Sequence, residues 1–288
     1  MPVLENLDTV LLPYQRNWIG DNAPVKVYEK SRRIGATWCE AADRARSAAA
    51  RDGMDGWYIG YNKDMAREFI ETAAMWTKRF NKAAAAIEET VVEDEVRDIL
   101  AYRIRFASGH KLVALSSRPS NLRGKQGCAV IDEASFHEDL PGLVKAALAF
   151  TMWGGKVHVV STHNGADNPF NELVTEIRAG RRPFSLHRTT LDGALADGLF
   201  HAICRVREIE WSAAREQEWR AQVFADYGDD ADEELLCVPN ASSGAFLSSV
   251  LVASRMRAEI PVLRFEMKLS FIERSESERR READDFCE

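Results

Sequence analysis

The chain has 288 residues, enough to bury a sizeable core as one large domain, or one domain with an appendage, without a disulfide or metal staple. Charged residues make up 29% and hydrophobic residues 45%, the balance of an ordinary globular protein. The net charge of −7 excludes a global positive field drawing the chain to nucleic acid, so any such contact must come from local patches.

In chain order, the first informative residues are Leu11-Leu12-Pro13-Tyr14-Gln15. Pro13 suits the first turn of a helix. Gln15 offers both a donor and an acceptor to an adenine edge, and Tyr14 offers a ring to stack on it. Val25-Lys26-Val27-Tyr28 reads as a short strand, and residues 38–51 read as an alanine-rich helix. Between them stands Lys30-Ser31-Arg32-Arg33-Ile34-Gly35-Ala36-Thr37. Strand, basic glycine-bearing loop and helix make the layout of a phosphate-binding loop, because the first N–H groups of a helix are unpaired and carry partial positive charge. Thr37 stands where a hydroxyl reaches a magnesium ion. The standard pattern, G-x-x-x-x-G-K-[ST], is only partly met. Aligned on Gly35 and Thr37, its lysine position holds Ala36 and its first glycine position holds Lys30. Lys30 or Arg33 could supply the missing cation, and an ordinary strand-to-helix turn is the alternative.

Trp57-Tyr58-Ile59-Gly60 reads as a buried strand, and Met65, Phe69, Ala73 and Trp76 give residues 63–82 a helical period. Residues 102–106 and 111–115 read as two strands joined through Ser108-Gly109. The polar loop 116–126 carries Arg118, Arg123 and Lys125. Cys128-Ala129-Val130-Ile131-Asp132-Glu133 is an apolar strand ending in two carboxylates, at the strand end where ligands bind in open α/β sheets. Asp132 is the expected magnesium ligand, and Glu133 the group that orients and deprotonates an attacking water. The two motifs lie about 95 residues apart and form two halves of one site.

Lys156-Val157-His158-Val159-Val160 forms another buried strand and leads into Ser161-Thr162-His163, polar groups placed to sense a γ-phosphate or the attacking water. A satisfied surface histidine is the alternative for His163. A helix opens near Pro169, three arginines fall within 178–182, and residues 184–190 read as a strand. Residues 211–227 read as an amphipathic helix with Ser212 as N-cap. The acid run 229–234 is expected to be a solvated helix start. Residues 239–243 read as a boundary loop, and the charged tail 273–288 as an exposed helix or frayed end.

With these stretches in register, residues 10–250 resemble the ATPase domain of the large terminase of tailed bacteriophages, the Mu-like branch in particular. The resemblance rests on Tyr14-Gln15, the deviant loop KSRRIGAT, the strand AVIDEA and Ser161-Thr162-His163. It implies that the loop lysine is displaced to Lys30, and that Ser31, Arg32, Arg33, Ile34, Gly35, Ala36 and Thr37 complete the nucleotide site. It implies ATP and Mg2+ as cofactors, Thr37 and Asp132 as metal ligands, and Glu133, Thr162 and His163 in hydrolysis and coupling. Arg123, before Gly124, resembles the family's arginine finger, with Arg118 and Arg33 as competitors.

The resemblance further implies an α/β fold, a three-layer P-loop NTPase with a mostly parallel central sheet and a small C-terminal subdomain. The expected division is an ATPase core over 1–191, a helical subdomain over 192–245, and a linker or truncated region over 246–288. The implied function is ATP hydrolysis that translocates double-stranded DNA into a procapsid, with a portal protein and a small terminase subunit as partners and a homo-oligomeric ring as the active form. A helicase-like ATPase and an inactive nucleotide- or DNA-binding module are the rivals. No acid cluster for a nuclease is evident, so DNA cleavage is not expected of this chain. The scattered cysteines, without a C-x-x-C pair, and the absence of a long apolar run or a signal-peptide core lead to an expected place in the cytoplasm of the bacterial host, transiently at the procapsid portal, with no membrane contact.

Overall fold

The computed structural model describes residues 10–80, 88–94, 99–241, 271 and 274–287. The chain divides into two compact units, Met1–Phe246 and Leu247–Glu288. The first opens with helix α1 (Pro13–Gly20) and strand β1 (Val25–Lys30). Next come α2 (Ala36–Ala49), β2 (Gly56–Ile59), α3 (Lys63–Phe80), β3 (Glu88–Asp94), β4 (Ile99–Arg105) and β5 (Lys111–Leu115). Then follow β6 (Cys128–Asp132), α4 (Leu140–Leu148), β7 (Lys156–Ser161), α5 (Pro169–Arg178) and β8 (Ser185–Thr189). Beyond β8 the described residues form α6 (Leu191–Ala196), α7 (Leu199–Val206), α8 (Ala213–Tyr227) and α9 (Ala231–Leu236).

The strands form one eight-stranded sheet in the order β3-β4-β5-β2-β6-β7-β1-β8. The six strands from β5 to β8 run parallel, and β3 and β4 add an antiparallel edge. Alternation along each buried strand sends neighbouring side chains to opposite faces. Tyr28, Tyr58, Cys128 and Val130 face one core with Trp18, Phe69 and the alanines of α2. Val27, Ile59, Ala129 and Ile131 face the other with Leu143, Phe170 and Val174 of α4 and α5. Helices therefore cover both faces, giving three layers. Ala41, Ala42, Ala45 and Ala48 are all buried, so α2 combines high helix propensity with a face small enough for close packing.

Several local expectations shift. The helix after the phosphate loop begins at Ala36, so Thr37 lies inside its first turn. β3 joins the sheet although its polar sequence gives no strand signal. Ser212 caps α8 as expected, its hydroxyl accepting from Arg215 N at 3.3 Å. The acid run 229–234 is not simply solvated: Glu233 and Glu234 on α9 bond back to two loops of the core. In the second unit, α10 (Glu276–Cys287) opens with a reciprocal capping box between Ser275 and Glu278, so this part of the tail is helical. The expected helix end at residue 82 and residues 246–270 lie outside the described residues.

Candidate active site

The carboxyl ends of β1, β6 and β7 lie side by side and carry the three motifs together. Lys30 ends β1 almost completely buried, and its Nζ stands 2.9 Å from Glu133 Oε1. The other oxygen, Glu133 Oε2, is buried without a partner. Thr37 Oγ1 donates to Asp132 Oδ2 at 2.8 Å, and Tyr58 OH donates to the same oxygen at 2.8 Å. Burial, reinforced by the neighbouring Glu133, raises the Asp132 carboxyl to about 6 despite Lys30 and the two hydroxyls. A buried carboxylate beside a threonine hydroxyl and an orphaned carboxylate oxygen is a donor set that fits a hard divalent cation.

The phosphate loop is shaped by backbone as well as side chains. Arg33 has φ 57°, Gly35 has φ 75° and Glu133 has φ 49°, all left-handed. Non-glycine residues held this way cost on the order of 1–3 kcal/mol each and gather at functional sites. A Cβ on Gly35 would sit 2.9 Å from Gln15 Nε2, so both the loop conformation and its neighbour require glycine there.

Tyr14 and Gln15 lie against the phosphate loop. Tyr14 OH donates to Ile34 O at 2.6 Å. Gln15 Nε2 donates to Ile34 O and Gly35 O, both at 3.2 Å, and Gln15 Oε1 accepts from Leu12 N at 3.0 Å. Both side chains are buried behind the loop. The Tyr14 hydroxyl and the Gln15 amide hydrogens thus brace the loop through its carbonyls. Ala36, at the usual lysine position, is buried in the core. Ser31 and Arg32 turn toward α9, where Arg32 Nη1 meets Glu234 Oε1 at 2.7 Å, while the Arg33 side chain is exposed.

Thr162 and His163 are both buried, so the surface alternative for His163 does not hold. His163 Nε2 donates to Glu29 Oε2 at 3.1 Å, and its Nδ1 is buried without a partner. Glu29 is fully buried and also accepts from Arg178, with Arg188 Nε 3.9 Å away. Ser161 Oγ accepts from Ser135 N at 3.0 Å, joining the end of β7 to the turn after Glu133. Arg123 is exposed next to Gly124, and no contact among the described residues links it to Lys30, Asp132 or Glu133.

Four supporting residues escape a motif reading. Tyr58 is stacked on Phe69 with ring centroids 3.8 Å apart. His137 Nε2 donates to Asp132 O at 2.8 Å while its Nδ1 accepts from Ser117 at 2.5 Å, and burial lowers its pKa. Glu29 and Glu234 complete the set. Tyr58, Glu29 and Glu234 act across long sequence separations, whereas His137 closes on Asp132 only five positions away, and only the apolar context of Tyr58 gives a signal in the sequence.

A second buried cluster lies between α2 and the strands β7 and β1. Glu40, Asp43 and His158 bring ligand-type atoms within 4.8 Å of one another. Arg44 pairs with both carboxylates, and Lys26 Nζ donates to Trp18 O at 2.6 Å beside them. Arg46 also pairs with Asp43, so both carboxylates are answered by arginines and this is a neutralised structural network. It borders a cavity of about 340 Å³.

A family model described as terminase large subunit, T4likevirus-type, N-terminal, matches residues 27–249. The chain is 49% identical over 285 residues to Mu-like prophage FluMu protein gp28 of Haemophilus influenzae, covering 97% of this chain and 56% of that protein. It is 46% identical over 292 residues to the probable terminase large subunit gp28 of Escherichia phage Mu, covering 98% of this chain and 53% of that protein. It thus spans about half the length of the curated relatives it matches. The Thermus phage P74-26 large terminase ATPase domain shares the fold with a TM-score of 0.58 at 16% identity, over 81% of this chain and 97% of that one. The large terminase of a thermophilic bacteriophage, in complex with ATP-gamma-S, shares it with a TM-score of 0.55 at 14% identity, over 79% of this chain and 52% of that one. The fold is that of a P-loop NTPase, and the chain belongs to the terminase large subunit family.

Proposed function

We propose that this chain is the ATPase part of a DNA-packaging motor, hydrolysing ATP to move double-stranded DNA into a procapsid. The observation that carries the reading is the meeting of Lys30 with Glu133 and of Thr37 with Asp132 at the carboxyl edge of the sheet. The first-turn N–H groups of α2 and the Lys30 ammonium bind the phosphates. Thr37 and Asp132 hold Mg2+, which when bound neutralises charge on the phosphate oxygens. Glu133 Oε2, the oxygen that Lys30 leaves free, takes the proton of the attacking water. Arg32 and Arg33 add positive charge at the loop rim. The thermophilic-phage large terminase named above was solved with ATP-gamma-S, which supports nucleotide binding by this chain.

His163, held by Glu29, and Thr162 report the hydrolysis state to the rest of the chain. The exposed Arg123, without a contact to Lys30, Asp132 or Glu133 among the described residues, suits an arginine finger offered to a neighbour in a homo-oligomeric ring. Membership of the family supports a portal protein and a small terminase subunit as partners, and a working place at the procapsid in the host cytoplasm. The test is steady-state ATP hydrolysis, with Mg2+ and with or without double-stranded DNA, on wild type, Glu133→Ala and Lys30→Ala. Turnover lost in Glu133→Ala and weakened in Lys30→Ala is expected. Turnover that survives Glu133→Ala would overturn the assignment.

A further inference from the structure

The acidic helix α9 grips both loops that border the nucleotide site. On one side, Glu234 O accepts from Arg32 N at 2.8 Å and Glu234 Oε1 from Arg32 Nη1 at 2.7 Å. On the other, Glu233 Oε2 accepts from Gly165 N at 2.6 Å and from Asn240 N at 2.7 Å. Gly165 lies two residues beyond His163, in the loop that leaves β7. Adjacent carboxylates thus hold the phosphate loop and the loop after the coupling motif.

The end of the helix is fixed as firmly. Arg188 of β8 donates to Leu236 O at 2.7 Å. Cys237, left-handed with φ 54°, donates its thiol hydrogen to Thr189 O at 3.5 Å. A non-glycine residue held in that conformation marks a segment over-determined by its surroundings. Charge and main chain both take part, and the Glu234 carboxyl is half-enclosed near Lys30 and Glu133, its pKa raised by burial.

We propose that α9 is a strap that makes the phosphate loop and the post-β7 loop move as one unit, with Glu233 and Glu234 as positioning residues for hydrolysis. The proposal rests on the ATPase reading above for its purpose, but the coupling of the two loops is measurable without turnover. Local opening of a hydrogen-bonded segment sets its amide exchange rate, so two loops on one strap should loosen together.

The experiment is native-state hydrogen–deuterium exchange on the full chain, with thermal unfolding to confirm that each variant is folded. Glu233→Ala should speed exchange about fivefold or more in the peptide spanning 30–37, which Glu233 does not touch, as well as in 163–168. Glu234→Ala should do the reverse, loosening 163–168 at a distance. Glu233→Gln keeps an acceptor oxygen for Gly165 N and should restore protection in both peptides.

In turnover assays Glu233→Ala should lower kcat about tenfold while KM for ATP stays within about twofold, because the phosphate-binding groups themselves are untouched. Exchange raised only in the loop next to the substituted residue would overturn the strap. So would a Glu233→Gln variant as loose as Glu233→Ala, or a Glu233→Ala variant with wild-type kcat. A wild-type chain without turnover would sink the ATPase reading, and the exchange results would still decide the strap.

Discussion

Lys30→Ala removes one partner of the ion pair at the centre of the site, and its cost can be worked from the structure. Nζ lies 2.9 Å from Glu133 Oε1. At an effective dielectric near 20 the bare attraction at that separation is about 6 kcal/mol. Desolvation cancels most of it, because the lysine side chain is 4% exposed and the glutamate 25%. A net coupling of about 1–3 kcal/mol remains, discounted for the exposed glutamate. Lys30→Ala should therefore lower the stability of the folded chain by about that amount, since it strands a carboxylate whose other oxygen is already unpartnered.

In the Glu133→Ala background the same substitution strands nothing and should cost much less. A double-mutant cycle by urea unfolding reads the difference. Turnover should fall about 100-fold or more in Lys30→Ala, the scale for removing one preorganised charge from a transition state. Equal stability cost in both backgrounds would refute the coupling. Hydrolysis within about threefold of wild type would refute Lys30 as the displaced loop lysine.

Other outcomes follow from the same geometry. Gly35→Ala forces a left-handed residue against Gln15 Nε2, so nucleotide affinity should fall about tenfold in a titration with a fluorescent ATP analogue. His158 is held neutral in the fold, its pKa lowered to about 4 by burial, with Lys26 and Arg44 adding to the effect and Glu40 opposing it. The unfolded chain binds that proton first, so stability should drop as pH falls from about 6.5 to about 4, by up to about 3 kcal/mol. Urea unfolding of wild type and His158→Asn at both ends of that window checks it, and an undiminished slope in the variant would sink the idea. Glu29→Gln keeps an acceptor for His163 but loses the charge that Arg178 answers, so ATP turnover should fall several-fold with KM little changed. If Arg123 acts on a neighbour, mixing inactive Arg123→Ala with inactive Glu133→Ala should restore activity, because a mixed ring contains intact composite sites; no recovery at any ratio would remove Arg123 from the role.

The parts legible in sequence are those whose chemistry is local. A loop with Gly35 and Thr37 entering a helix, and an apolar strand ending in Asp132-Glu133, announce themselves because each is built within about ten residues. The layered sheet is legible because its central strands are short apolar runs. β3 is not, since its stretch Glu-Glu-Thr-Val-Val-Glu-Asp pairs as an antiparallel edge with little apolar pattern to mark it. Gln15 reads as an adenine contact because its two-sided amide suits that purpose. The same amide suits two loop carbonyls equally well, and the packing of α1 against α2 brings it to them.

Most of the residues that sequence reading could not assign share one property: their partners are remote. Glu29 meets His163 across 134 positions and Arg178 across 149. Arg32 meets Glu234 across 202. No window sees such a pair, and an acid run such as 229–234 reads as solvated because acids are exposed in most proteins. Burial changes that reading. A carboxylate as enclosed as Glu29 is tolerable only when its oxygens are satisfied, so its partners are fixed in place as much as it is. The deviant loop follows the same logic. With Ala36 packed into the core, a lysine at the end of β1 enters the site from the strand instead of from the helix, and Glu133 directly across from it supplies the countercharge that makes its burial possible.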